Sequence, residues 1–263
     1  ALREDGGMQP EELVAALRAL VPGALIATDF DGTLAPLVPD PEQSRPVGGV
    51  IEALTALAER GAHIAVITGR DARTVVRLGG LHAVPRIVVA GLYGMETWTE
   101  GRLDSPDPPP AIDALRDRLP HIVRDGGDPD VWIEDKRLSL VVHARKAADP
   151  DTALQRLDSP VRAVADELGF EVHPGAQVLE LRLPGFDKAG ALARLAAGRR
   201  AVLFLGDDLG DLPAFAEIRR MRAQDADAYS VGVRSSGVPE LDGAADVEVS
   251  DPAAVVELLR RLA

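Results

Sequence analysis

The chain has 263 residues, 46% hydrophobic and 27% charged, an ordinary globular balance with room for one large domain or two modest ones. It carries no cysteine, which excludes disulfides, thiolate catalysis and Cys-ligated zinc or iron–sulfur centres, so any metal must sit on oxygen or histidine ligands. A net charge of −13 argues against nucleic acid or an anionic membrane as partner.

Apolar runs all fall short of the roughly 18–20 residues that span a bilayer. The opening ALREDGGMQPEEL lacks the basic-then-apolar order of a secretory leader, so the expected location is cytoplasmic. A monomer is the expected state.

Taken in chain order, PEELVAALRAL (10–20) predicts a helix with acidic residues in its first turn. ALIAT (24–28) is a short apolar strand ending at Asp29. A helix around 47–60 follows, then a strand AHIAVI (62–67), a helix from Asp71 and a strand RIVVA (86–90). Apolar strands separated by helices imply a parallel sheet covered on both faces. The Pro-rich SPDPPP at 105–110 breaks this pattern. Beyond it come a helix near 110–123, strands VWIEDK and RLSLVVHAR, a helix near 151–168, and strands FEVH and QVLELRL. From Asp187 the alternation resumes: a helix to about 197, RAVLFL (200–205), a helix from about Asp211, AYSVGV (228–233) and a last helix from Asp251. The expected fold is α/β: a doubly wound, Rossmann-like parallel-sheet core over 1–104 and 184–263, with an inserted α+β domain of αββαββ order over 105–183.

Open α/β sheets bind ligands beyond the C-terminal ends of their strands. TDFDGTL, TGR and GDDLGD stand at such ends, and Lys188 starts a helix in FDKAGAL. Asp29, Asp31, Asp207, Asp208 and Asp211 would then crowd one cleft, and so many carboxylates repel unless a cation sits among them. Oxygen donors favour Mg²⁺ or Ca²⁺, and phosphate chemistry favours Mg²⁺. One aspartate can accept a phosphoryl group, and a second two residues on can protonate the leaving oxygen and later activate water. Thr68 can donate to phosphoryl oxygens and Lys188 can offset their charge. Singly these are ordinary caps, turns and surface charges. An EF-hand fits poorly, since the glycine falls fourth and no glutamate closes the loop. Asp31 argues against a receiver-type phospho-acceptor, because an acid/base at that spacing serves hydrolysis.

In these residues the chain resembles the haloacid dehalogenase-like phosphatase superfamily: DxDGT, a Thr after the next strand, a downstream Lys and a GDD motif, in that order. The resemblance implies Asp29 as nucleophile, Asp31 as acid/base, and Thr68 and Lys188 as phosphate holders. It implies Mg²⁺ on the Asp29 side chain, the Asp31 carbonyl and Asp207, with Asp208 binding or orienting it. GLYGME (91–96), EDK–LSLVVHAR (134–145) and VHPGAQVLELR (172–182) look like the trehalose-6-phosphate phosphatases. That likeness implies a phosphosugar substrate lined by Gly69, Arg70, Tyr93 and Gly94, with Glu134, Lys136 and Glu180 reaching it from the inserted domain acting as a cap. It implies hydrolysis of trehalose 6-phosphate through an aspartyl-phosphate. Tyr93 stands where the family usually has His, and Gly210 and Leu212 where its acidic motif has Thr and Glu. The competing readings keep the fold and change the sugar (sucrose 6-phosphate, or a glucosyl- or mannosyl-phosphoglycerate), or drop catalysis for a sugar-phosphate sensor.

Strand alternation sorts the inserted domain's side chains. Leu138, Leu140, Val142 and Ala144 share an apolar face, as do Leu179, Leu181 and Leu183. Glu134, Lys136, Glu180 and Arg182 fall opposite, toward open space, as a sugar-hydroxyl surface or as cross-strand charge pairs. His63, His82, His121 and His173 show no ligand spacing and read as structural or surface residues. Hinges are expected near 97–108 and 183–187.

Overall fold

A computed structural model describes residues 8–126, 128–175 and 177–263. The opening stretch 1–7, read above for its lack of a leader pattern, lies outside the described residues, as does position 176 within the 172–182 motif. The chain divides into two compact units, one of residues 1–105 and 187–263 and one of 106–186.

In the larger unit, α1 (Pro10–Leu17) precedes β1 (Leu25–Thr28). Then come α2 (Val50–Glu59), β2 (His63–Ile67), α3 (Ala72–Gly79), β3 (Val88–Gly91), β4 (Glu96–Thr99) and β5 (Arg102–Asp104). The inserted unit holds α4 (Pro110–Asp125), β6 (Trp132–Asp135), β7 (Ser139–His143), α5 (Pro150–Leu168), β8 (Glu171–Gly175) and β9 (Val178–Arg182). The larger unit then resumes with α6 (Lys188–Ala196), β10 (Ala201–Gly206), α7 (Leu212–Arg222), β11 (Asp227–Val233), β12 (Val247–Val249) and α8 (Pro252–Leu262).

Strand order in the larger sheet is β12-β11-β10-β1-β2-β3-β4-β5. Pairings from β12 through β3 are parallel, and β4 and β5 continue the sheet antiparallel. Because side chains alternate along a strand, each central strand feeds two cores. Ile26, Ile64, Val66, Leu203 and Leu205 pack under α1, α2, α3 and α8 with Leu13, Leu54, Val75 and Leu259. Leu25, Ala27, Ile67, Val202 and Phe204 turn the other way, onto Leu192 of α6 and Phe215 of α7. Phe204 and Phe215 meet edge to face at 5.8 Å, and each buried ring of this kind is worth about 1.5–3 kcal/mol of transfer free energy. The core is doubly wound, as the alternating pattern implies.

The strands β4 and β5 narrow the expected hinge stretch 97–108 to its end, where the boundary between the two units falls after residue 105. The short alternation of β4, Glu96 and Trp98 buried against half-buried Thr97 and Thr99, was masked by the adjacent Pro-rich run; β4 pairs with β3 and β5 with β4, which makes 97–99 and 102–104 sheet. β12 is a three-residue edge strand, too short for a periodic signal.

The smaller sheet is antiparallel throughout, in the order β6-β7-β9-β8. Leu140, Val142, Leu179 and Leu181 pack against Ile112, Leu115 and Leu119 of α4 and Leu157 and Val161 of α5. The opposite face pairs its charges: His143 Nε2 lies 2.9 Å from Glu134, and Lys136 Nζ donates to Glu180 Oε1 at 3.3 Å. Arg182 Nη2 donates to His173 Nδ1 at 2.8 Å, so His173 has a partner on this face and is not a lone surface residue. Glu180 and Arg182, expected to face open space, are 6% and 7% exposed, because polar neighbours on the same face satisfy and cover them.

Candidate active site

The strands β1, β2, β10 and β11 are parallel neighbours or next neighbours, so the loops after them emerge at one edge of the sheet. The Asp29 N–H donates to the Leu205 carbonyl at 2.8 Å, the last rung of the ladder, and its side chain is 7% exposed. The chain then turns at Gly32 with φ +75°, and a Cβ there would lie 1.9 Å from Asp207 Oδ2. Only glycine admits both that backbone and that approach.

After β10, Asp211 folds back under its own loop. Its Oδ2 accepts the backbone N–H groups of Asp207 (2.9 Å) and Asp208 (3.0 Å), and a Cβ on Gly206 would fall 2.2 Å from its carboxyl carbon. The spacing of GDDLGD is thus a closed turn whose last aspartate organises the first. Asp207 Oδ1 accepts from Thr33 Oγ1 at 3.3 Å, whereas its buried Oδ2 has no hydrogen-bond partner among the described residues.

Lys188 opens α6 behind its N-cap, Asp187, whose carboxylate accepts from the Gly190 N–H at 2.7 Å. Buried to 3% exposure, its Nζ lies 2.7 Å from Asp211, 2.9 Å from Asp29 and 3.7 Å from Asp208. Burial alone would neutralise this amine, but the surrounding carboxylates hold its pKa well above the ordinary lysine range.

One lysine does not balance these acids. Burial, then repulsion from Asp211 and Asp208, pushes Asp207 up to about 8. Burial also raises Asp29 far above the ordinary range, with Lys188 opposing it and its aspartate neighbours adding to it. Asp29, Asp207 and Asp211 each bring a carboxylate oxygen within 4.8 Å of the others. An all-oxygen cluster with an unpartnered buried oxygen and carboxylates that resist ionisation fits a divalent cation. Asp211 has both oxygens engaged, so Asp29 and Asp207 are the donors left for one. Asp208 is not part of this group: its side chain is 54% exposed and its pKa is lowered, Lys188 and hydrogen bonds outweighing burial.

Asp31 points elsewhere. Its carboxylate takes a two-pronged grip from Arg70, Nε to Oδ2 at 2.5 Å and Nη2 to Oδ1 at 2.7 Å, and a third bond from the fully buried Ser44 Oγ at 2.8 Å. The loop after β2 is set by backbone contacts with the loop after β3: the Leu92 N–H donates to the Arg70 carbonyl at 2.8 Å, and the Tyr93 N–H to the Thr68 carbonyl at 2.9 Å. Thr68 is buried, with its Oγ1 accepting the Arg70 N–H at 3.2 Å. Tyr93 sits in the left-handed region at φ 59° with its hydroxyl against Gly69, where a Cβ would come within 2.7 Å of it. Gly94, at φ +87°, lies on α6, where a Cβ would meet Arg194 at 2.5 Å. Thr68, Gly69, Arg70, Tyr93 and Gly94 therefore form one connected pair of loops.

Several residues carry weight here without having been singled out from the sequence. Glu96, 4% exposed, accepts the Ala72 N–H at 2.6 Å and the Ser105 hydroxyl at 3.2 Å, capping the helix that follows Arg70. Thr33 sits inside the DGT motif and was legible there. Ser44, Ser235 and Ser236 have no motif signal at all. In the smaller unit, Glu180 Oε1 also accepts from the buried Ser139 Oγ at 3.2 Å, and Trp132 stacks on His143 at 4.6 Å with Lys146 over its outer face.

A parallel sheet with a buried aspartate after its first strand, and a lysine and acidic turn closing on it, defines a phosphatase of the haloacid dehalogenase-like class. A profile of the trehalose-phosphatase family matches residues 27–253, and the chain belongs to that family. The trehalose-phosphate phosphatase of Mycobacterium avium is 32% identical over 98% of this chain and 68% of its own length, and that of Mycobacterium marinum is the same on all three measures. Among solved structures, the C-terminal domain of C. albicans trehalose-6-phosphate phosphatase superposes with TM-score 0.79 at 22% identity, covering 97% of each chain. The C-terminal domain of a Candida albicans trehalose synthase regulatory protein reaches TM-score 0.71 at 14% identity, covering 97% of this chain and 98% of its own, so the fold is shared more widely than the name. Among the described residues, no helix is long and apolar enough to cross a membrane.

Proposed function

We propose that this chain hydrolyses trehalose 6-phosphate to trehalose and phosphate, with Mg²⁺ as its metal and Asp29 as the residue phosphorylated in passing. The observation that carries this reading is the Asp29 carboxylate, buried at the end of β1 with Lys188 at 2.9 Å and the unpartnered Asp207 Oδ2 close by.

Asp29, the Asp31 carbonyl and Asp207 would hold Mg²⁺, with Asp208 orienting it. The bound ion offsets charge on the transferring phosphoryl group. Lys188, kept charged by its carboxylate neighbours, draws the phosphate toward Asp29, and Thr68 donates its hydroxyl to a phosphoryl oxygen. An Asp29 oxygen attacks phosphorus as the bond to the sugar oxygen breaks, and Asp31 gives that oxygen a proton. Asp31 then takes a proton from the water that attacks the aspartyl-phosphate, releasing inorganic phosphate and restoring Asp29. Arg70 holds Asp31 as an acceptor, so proton donation requires the guanidinium to move off the carboxylate.

Arg70, Gly69, Tyr93 and Gly94 are the proposed substrate contacts on the larger unit, and Glu134, Lys136 and Glu180 on the smaller. Paired acids and bases at a fixed spacing suit a ring of sugar hydroxyls. Phosphate release from trehalose 6-phosphate, sucrose 6-phosphate, glucose 6-phosphate and a glucosyl-phosphoglycerate tests the assignment. Strong preference for the first is the expected result. Preference for another sugar would overturn the substrate, and no release from any at saturating Mg²⁺ would overturn the enzyme.

A further inference from the structure

The loop after β11 reaches both halves of the acidic cluster without contributing an acid. Its root is fastened to β12: the Arg234 N–H donates to the Val249 carbonyl at 3.0 Å, and the Arg234 Nε donates to Glu248 at 2.9 Å. Glu248 is itself held by the Gly243 N–H at 2.7 Å. From this anchor two consecutive hydroxyls diverge. Ser235 Oγ donates to the Gly32 carbonyl in the loop after β1, and Ser236 Oγ donates to the Asp207 carbonyl in the loop after β10. Gly237, at φ +64°, then turns the chain away.

These two loops carry Asp29 and Asp207, and the last ladder bond between their strands is the one at Asp29. The gap beyond it has an inner stop, since Gly32 already abuts Asp207 Oδ2. The serines supply the outer stop by tying both loops to one anchored segment. Asp207 is thereby fixed on three sides, through its carbonyl by Ser236, its N–H by Asp211 and its Oδ1 by Thr33, with Oδ2 left to bind.

We propose that Ser235 and Ser236 form a strap that sets the separation of the two metal-holding loops, and with it the preference of the site for Mg²⁺ over the larger Ca²⁺. This rests on the reading above, in which Asp29 and Asp207 hold the metal. Mg²⁺ requires oxygens at about 2.0–2.1 Å in near-octahedral array, whereas Ca²⁺ accepts about 2.3–2.6 Å in looser geometry. A gap free to widen by a few tenths of an ångström therefore penalises Mg²⁺ more than Ca²⁺.

The test is calorimetric titration of the full, chelator-treated chain with MgCl₂ and separately with CaCl₂. The Ser235→Ala, Ser236→Ala double variant should bind Mg²⁺ about tenfold more weakly, the scale of lost outer-shell support, while Ca²⁺ affinity stays within about twofold. Its melting temperature in EDTA should match wild type, and Ser235→Thr with Ser236→Thr, which keeps both hydroxyls at half-buried positions, should restore the ratio. Unchanged Mg²⁺ affinity, or equal loss for both ions, would overturn the strap. An Asp207→Asn control separates the two failures. If it loses Mg²⁺ binding while the serine variant does not, the strap alone is wrong. If it binds Mg²⁺ like wild type, the reading of Asp207 falls and the strap with it.

Discussion

The two charged regions of this molecule solve the same problem in opposite ways. On the face of the smaller sheet, each named acid has a basic partner within 3.3 Å: Glu134 has His143 and Glu180 has Lys136. At the end of the larger sheet, Asp29, Asp207, Asp208 and Asp211 share Lys188, and Asp207 Oδ2 is left without a hydrogen bond among the described residues. The first surface is electrostatically closed and can offer its pairs to a neutral polyol. The second is left short of positive charge, a buried deficit that a bound cation would make up and that an anionic phosphoryl group would need made up before it could approach. Burial together with imbalance, more than charge density, separates the acidic cluster from the paired surface.

That contrast is open to breaking, most severely at Asp29. Asp29→Asn should lower phosphate release by about 10⁴-fold if the proposed nucleophile is lost, while the melting temperature in EDTA holds or rises as a repelling buried carboxylate is removed. A folded variant with near wild-type turnover would remove Asp29 from the chemistry. Next in size, Mg²⁺ at about 100 times its dissociation constant should stabilise the chain by about 2.7 kcal/mol, visible as a rise of several degrees in melting temperature. Asp207→Asn should abolish that rise, and its persistence would place the ion elsewhere.

On the paired surface the expected effects are smaller and selective. Glu180→Gln should reduce kcat/KM for trehalose 6-phosphate by about tenfold, the cost of one charged hydrogen bond, and leave p-nitrophenyl phosphate turnover unchanged. Equal loss on both substrates would make Glu180 structural. Ser44→Ala, which removes one of three donors to Asp31, should lower kcat about fivefold with little change in KM. A change confined to KM would assign Ser44 to substrate binding instead. At the bottom of the scale, Arg118→Ala breaks an exposed pair with Glu167 on the smaller unit and should leave both activity and melting temperature where they were. A measurable drop would show that exposed pairs matter here as the buried cluster does.

The alternation of apolar strands and helices, the DFDGTL and GDDLGD turns, Thr68 and Lys188 were all readable as sequence, because each is a local rule: period, cap or turn chemistry repeated at a strand end. So was the apolar face of the inserted sheet, since Leu138 to Ala144 alternate cleanly. The β4–β5 hairpin was not, because four- and three-residue strands beside a proline run carry too little periodicity to register. Nor were the partners of Asp31. Arg70 and Ser44 lie 39 and 13 residues away, and nothing in PEQSRP or TGRDAR announces that either will close on a carboxylate.

What the sequence determined by itself was which side chains stand at the strand ends and the order in which strands present them. Tertiary structure alone decided which acids are used up and which are left over: Asp211 spent on its own loop and Lys188, Asp31 on Arg70, Asp207 keeping one oxygen without a partner among the described residues. The reason is that hydrogen bonding and burial are properties of distance in space, and residues as far apart as Gly32 and Ser235 acquire a distance only when the strands between them have paired.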